Sequence, residues 1–202
     1  MATPVYGLDI ETDTHVDGLD PTVGAVIAVA VAAADGDIVL GGPEHRLLAE
    51  LDDLLCGLAP GVIATWNGGR FDLPYLATRS AIAGVPLHLR LEAEPLVGGY
   101  RGAWHHHAHI DAYRLYRSDV GPALRVSCSL KSIARLAGLD PVEVDAARVH
   151  ELSEIDLRTY VASDARCARD LLLRRGAAGL AAIDRLRNLS IASQPLSFTF
   201  AL

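Results

Sequence analysis

The sequence predicts an α/β fold, a mixed sheet flanked by helices, and three observations lead there. An alternating strand near the start is followed by two apolar runs at hairpin spacing. From residue 44 onward, helical periodicity alternates with short apolar runs of strand length. The chain has 202 residues, half of them hydrophobic, enough for one domain with a sizeable core, and no internal repeat or long linker divides it.

Each element has its own signal. In Val5–Glu11, alternate side chains turn to opposite faces, so Tyr6, Leu8 and Ile10 share one face and Val5, Gly7, Asp9 and Glu11 the other. Residues 12–24 are rich in Asp, Thr and Gly and read as a loop. Within it, Asp13, His15, Asp17 and Gly18 imitate a calcium loop, but Gly24 stands where a bidentate Glu is required. Ala25–Ala34 and Ile38–Leu40 flank Asp35-Gly36-Asp37, a hairpin signal, so strands one to three form an antiparallel meander. Leucines 47, 48, 51, 54, 55 and 58 give a helix over residues 44–58, followed by a strand at 62–65, a turn at 66–69 and a helix from Phe71 to Ala83 ended by Gly84. Residues 86–104 carry no clear period beyond a hairpin tip at Gly98-Gly99. His105–Ile110 is a strand candidate, and Asp111 caps a helix to Arg117. Residues 130–137 form a short helix. Ser153–Arg175 is the longest helix, opened by Ser153 with Asp156 three residues on. Residues 1–175 are therefore expected as one domain, with a C-terminal helix and apolar tail over 176–202 packed on it.

Composition excludes several classes. A net charge of −7 disfavours a non-specific polyanion binder, although two divalent cations would bring it to −3. Cys56, Cys128 and Cys167 form no C-x-x-C pair and imply no disulfide framework. No basic-then-apolar leader and no bilayer-length apolar stretch is present, so a cytoplasmic, non-membrane protein is expected. Zinc on His105, His107 and His109 is disfavoured, because three neighbours on one strand rarely converge on one ion.

Chemistry announces itself through misplaced carboxylates. Asp9 and Glu11 lie side by side at the C-terminal end of a strand, where open α/β sheets carry their sites. In the long helix, Leu157, Val161, Asp164, Ala168 and Leu171 trace one stripe by steps of three and four, which puts Asp164 in the middle of an apolar face. A carboxylate there needs a cation or a metal. Tyr160 lies one turn before it. Asp72 occupies the first turn of its helix, a favoured place for an acid, but in the company of Asn67, Gly68, Gly69 and Phe71.

Asp9-x-Glu11, then Asn67-x-x-x-Phe71-Asp72-x-x-Tyr75-Leu76, then Tyr160-x-x-x-Asp164 resemble the three motifs of the DEDD (DnaQ-like) 3′–5′ exonucleases, in the tyrosine-bearing branch. Gly7–Thr12 and Trp66–Leu76 are especially similar to the proofreading exonuclease domain of family B DNA polymerases. The resemblance covers about residues 5–173 and implies a ribonuclease H-like fold with a five-stranded mixed sheet. It implies that Asp9, Glu11, Asp72 and Asp164 hold two Mg²⁺ or Mn²⁺ ions, Asp9 bridging both. Tyr160, with a reference pKa near ~10, would orient the attacking water. Asn67 and Phe71 would touch the terminal nucleotide, with Ile10, Thr12, Arg70 and Tyr75 completing the substrate site. Arg79, Arg101, Arg114, Arg125 and the single lysine, Lys131, are further candidates for phosphate contacts. The expected activity is 3′–5′ hydrolysis of single-stranded DNA ends to nucleoside 5′-monophosphates. The alternatives are an exoribonuclease and a catalytically silent nucleic-acid-binding module. Replication or repair proteins are the expected class of protein partner. The tail from Gln194 is loosely similar to clamp-binding peptides, although Ser197 stands where an aliphatic residue is wanted.

Overall fold

A single seven-stranded sheet in the order β3-β2-β1-β4-β7-β6-β5 runs through the computed structural model, which describes residues 3–96, 98–118 and 120–175. Strand β1 (Val5–Thr12) pairs antiparallel with β2 (Val26–Ala32), and β2 with β3 (Asp37–Gly41), giving the expected meander. After helix α1 (Glu44–Gly57), β4 (Val62–Thr65) joins β1 in parallel. Helix α2 (Asp72–Ala83) then leads to the hairpin β5 (Leu89–Ala93) and β6 (Tyr100–Trp104), and β7 (His107–Asp111) returns parallel to β4. Three short helices follow: α3 (Ala112–Arg117), α4 (Val120–Leu124) and α5 (Leu130–Leu136). A 3₁₀ turn, Ala146–Glu151, precedes α6 (Glu154–Arg175). Strands β3, β2, β1, β4 and β7 are the five-stranded mixed sheet anticipated, and β6 and β5 extend it to seven.

That extension was hidden by a turn. The strand expected at His105–Ile110 begins only at His107, because His105 adopts a positive φ of 50° and, with His106, reverses the chain between β6 and β7. A histidine in the left-handed region carries no sequence signal for a tight turn. The hairpin tip at Gly98-Gly99 is as expected, both glycines having positive φ.

The two faces of the sheet are packed differently. Tyr6, Leu8, Ile10, Val29, Val31 and Ile63 meet the leucines of α1 and α2 in a core of large side chains. On the opposite face Ala28, Ala30 and Ala32 meet Val161, Ala162 and Ala165 of α6. Gly7 sets how near α6 can come, since a Cβ there would lie 1.9 Å from the carbonyl oxygen of Ala165. Helix α6 starts as anticipated: the Ser153 hydroxyl accepts from the Asp156 amide at 3.1 Å and donates to its carboxylate at 2.6 Å. No helix among the described residues is long and apolar enough to cross a membrane. The expected C-terminal helix and tail, residues 176–202, lie outside the described residues.

Candidate metal centre

Because β1 outruns its parallel partner, its last residues project past the end of β4. The register pairs only Val5, Tyr6 and Gly7 with β4, leaving Asp9 and Glu11 on the α6 face beyond it. The close approach at Gly7 brings α6 down onto that ledge. Tyr160 and Asp164 are thereby buried against it, 7% and 6% exposed. Helix α2 begins at the same end of the sheet, and the Ile10 amide donates to the carboxylate of Asp72. A cleft of about 260 Å³ is lined by Asp9, Ile10, Glu11, Trp66, Asn67, Phe71, Asp72, Leu130, Tyr160 and Asp164. One oxygen each from Asp9, Glu11 and Asp164 lie within 4.8 Å of one another.

These carboxylates repel. Burial and the charges of Asp164, Asp72 and Glu11 push Asp9 well above the usual carboxylate range. Burial, then Asp164 and Asp72, raise Glu11 to about 8. Burial raises Asp72 to about 7, with Asp111 adding to it while its own amide and that of Ile10 oppose. Asp164 is raised by burial, against the pull of Lys131. Tyr160 is pushed upward by burial and by Glu11, Asp164 and Asp9, so its phenol keeps its proton. Such a group can donate or orient but cannot act as a base near neutrality.

Lys131, on α5, is the site residue whose place sequence reasoning did not find. Its ammonium is paired with Asp164 and lies 4.4 Å from the centroid of the Tyr160 ring. It is engaged with two side chains that line the cleft. As the only lysine of the chain it was visible, but the turns between α3 and α5 that bring it here carry no periodic pattern.

Of the expected substrate residues, Ile10, Asn67 and Phe71 line the cleft. Asn67 has a positive φ of 65°, and its amide donates to Asp111 at 2.8 Å. The same Asp111 accepts from Tyr113, capping α3 as anticipated. Thr12 lines an adjoining groove of about 350 Å³ that shares Ile10, Glu11 and Phe71 with the cleft. Arg70 lies instead on a neighbouring pocket with Asn67, Asp111 and Arg114. Tyr75 is buried, its hydroxyl donating to Gly24 at 2.9 Å, and does not reach the cleft. Arg79 is no phosphate ligand either: its guanidinium grips Glu44 through two hydrogen bonds, at 2.8 and 2.6 Å. Arg101 and Arg114 both pair with Glu94.

Known proteins of similar sequence and fold include several DNA polymerases, although no protein-family profile matches the chain. Over 101 residues, 48% of this chain and 13% of the relative, it is 33% identical to DNA polymerase 2 of Aeropyrum pernix. Over 104 residues, 50% of this chain and 5% of the relative, it is 31% identical to the DNA polymerase epsilon catalytic chain of Eremothecium gossypii. The matches thus span a small fraction of these curated relatives. The fold is shared with the family B DNA polymerase of the hyperthermophilic archaeon Pyrobaculum calidifontis, at a TM-score of 0.74 and 23% identity over 86% of this chain and 24% of that one.

Proposed function

We propose that this chain is a metal-dependent 3′–5′ exonuclease of the tyrosine-bearing DEDD type. It would shorten single-stranded DNA from the 3′ end and release nucleoside 5′-monophosphates. One observation carries the reading. Asp9, Glu11, Asp72 and Asp164 converge with Tyr160 from three elements on one cleft, where the ammonium of Lys131 opposes their charge. The similarity to DNA polymerases supports DNA as the substrate.

The donors suit Mg²⁺ or Mn²⁺: every candidate ligand is a carboxylate oxygen, the kind hard cations prefer, and the buried charges repel without a counter-ion. Asp9, Glu11, Asp72 and Asp164 would hold two such ions. The chemistry supplied by such ions would be a lowered pKa for a bound water and a counter-charge for the phosphate.

The remaining work belongs to the protein. Tyr160, held protonated, fixes the attacking water by hydrogen bonding. Lys131 neutralises Asp164 in the metal-free protein and lies close enough to the cleft to meet negative charge on a phosphate. Asn67 contacts the terminal nucleotide, its backbone braced by Asp111. Phe71 stacks on or wedges against the last base, a contact that tolerates any sequence. Ile10 and Thr12 floor the groove beside it, and Arg70 borders the pocket where the next phosphate would pass. Tyr75 acts through packing.

The experiment is degradation of 5′-end-labelled DNA and RNA oligonucleotides with Mn²⁺, Mg²⁺ or EDTA. A stepwise ladder from the 3′ end on DNA, abolished by EDTA, supports the proposal. A ladder on RNA alone would make the protein an exoribonuclease. A product ladder from the 5′ end, or activity surviving EDTA, would overturn the reading. Binding without cleavage by the wild type would identify a silent module.

A further inference from the structure

The histidine-rich turn does build a cluster, though not the one strand alternation suggests. His107 turns inward, its Nε2 2.8 Å from the Leu55 carbonyl and its Nδ1 accepting from the Gly61 amide at 3.2 Å. His109 meets the Thr65 hydroxyl at 2.8 Å. His105 goes elsewhere. The β5–β6 register pairs Leu89 with Trp104, and one step beyond that pair stand His88 and His105, facing each other. The His105 amide donates to the His88 carbonyl at 3.3 Å, and the two rings stack at 4.5 Å and 27°. Beneath them lies Asp52 of α1, 7% exposed.

Asp52 is oriented for both rings. Its Oδ1 accepts from the Trp104 indole at 2.6 Å and from the His88 amide at 2.9 Å. That leaves Oδ2 facing His88 Nδ1 at 2.8 Å and His105 Nε2 at 3.1 Å, the latter nitrogen lying also 3.0 Å from the Asp52 carbonyl oxygen. The three ligand atoms all lie within 4.8 Å of one another. A tetrahedral zinc ion, bound at ~2.0–2.1 Å, needs ligand atoms about 3.3 Å apart. To reach that spacing, Asp52 Oδ2 and each of the two imidazole nitrogens must part by only a few tenths of an ångström. His88 is 69% exposed, so the fourth position faces water.

We propose that Asp52, His88 and His105 form a binding site for a divalent transition ion of the zinc type, separate from the carboxylate cleft and independent of the exonuclease reading. Two imidazoles and one carboxylate are a borderline donor set, suited to Zn²⁺ or Co²⁺ and poor for Mg²⁺. The site lies at the opposite end of the sheet from the carboxylates. Ala108 is level with Val62 and Val5, and Asp9 is four residues further along β1, roughly 13 Å by strand rise. An ion here would clip α1 to the β5–β6–β7 edge. The Trp104 and His88 amide donors act as the outer shell that holds such a carboxylate in place.

The test uses the full chain, stripped of metal and returned to excess Mg²⁺ so that the oxygen-lined cleft is occupied. Zn²⁺ is titrated calorimetrically and Co²⁺ by its visible absorption, which is intense for four-coordinate ions. One equivalent should bind and raise the melting temperature. His88→Ala, at an exposed position that leaves the fold intact, should weaken binding by at least about tenfold and remove the cobalt band, and His105→Gln should do the same. Asp9→Asn and His150→Ala should leave both signals unchanged. Absence of stoichiometric binding, binding that survives His88→Ala, or binding lost in Asp9→Asn would overturn the proposal. In that event the cluster is a hydrogen-bonded staple only.

Discussion

The two faces of the sheet are built from different alphabets. On the α1–α2 face, Leu8, Leu47, Leu48, Leu51, Leu55, Leu73, Leu76 and Trp104 fill a deep layer, which holds the helices at a distance. On the α6 face, Gly7, Ala28, Ala30, Ala32 and Ala165 leave a shallow one, and α6 lies almost on the strands. Strand β1 contributes to both, by alternation. Its large residues stabilise; its small and acidic ones let α6 approach and then meet it with charge. The lesson is that the site depends on thinness: Tyr160 and Asp164 reach Asp9 and Glu11 because Gly7 and the neighbouring alanines let the helix come down onto the strand.

The comparison breaks most sharply at the acidic end of the thin face. Asp9→Asn should reduce hydrolysis about a thousandfold, since the cation charge lost is worth several kcal/mol at the transition state. It should not lower the melting temperature in EDTA, because it removes a repelling charge. Assays of rate and thermal melting on one preparation check both halves.

Next is Tyr160→Phe. The ring stays packed beneath Lys131 while the hydroxyl is lost, and a slowing of about ten- to a thousandfold is expected with DNA binding nearly unchanged. Single-turnover kinetics beside an affinity measurement separate the two.

Gly7→Ala and Leu8→Ala, one residue apart on opposite faces, sharpen the contrast itself. A methyl at Gly7 must displace α6, so activity should fall by about a hundredfold for a shift near ~1 Å, with overpacking costing about 1–3 kcal/mol. Leu8→Ala should cost more stability, about 2–5 kcal/mol, yet keep its activity per folded molecule. Urea denaturation and specific activity on both variants decide it. Equal activity losses would mean that helix approach is not what assembles the site.

The smallest effect is a tilt with pH. Glu11 and Asp72 are raised to about 8 and about 7 in the folded protein, against reference carboxylate values near ~4. The folded state therefore binds more protons than the unfolded chain between these limits. Its stability is fully present below about pH 4 and is lost as the pH climbs through 7 and 8. In EDTA the melting temperature should fall across that window, and saturating Mg²⁺ should flatten the fall by binding the deprotonated folded state. Melting curves at a series of pH values test the sign.

Much of this was legible in the sequence. Alternation in β1, the interrupted stripe of α6, the corner at Asn67–Asp72 and the family resemblance that these carry named nine residues that the fold gathers around one cleft and its adjoining groove: Asp9, Ile10, Glu11, Thr12, Asn67, Phe71, Asp72, Tyr160 and Asp164. What escaped depends on contacts between distant segments. Lys131 reaches Asp164 through a stretch of short helices and turns. Tyr75 shares its helix with Asp72 but finds its partner in Gly24, fifty-one residues away. Arg79 is claimed by Glu44 across two helices. The β6–β7 reversal was obscured because His105 supplies the positive φ that a glycine would have announced.

The central claim is that the thin face ends in a site for hard cations that performs hydrolysis. Mn²⁺ uptake, read from the loss of the free-ion resonance signal, tests it most directly when wild type and Asp9→Asn are compared alongside cleavage of a 5′-labelled single strand. The account predicts that the wild type takes up two ions and shortens the strand from its 3′ end, and that the variant loses uptake and cleavage together. Equal Mn²⁺ uptake by the two proteins, or cleavage undiminished in Asp9→Asn, would contradict it.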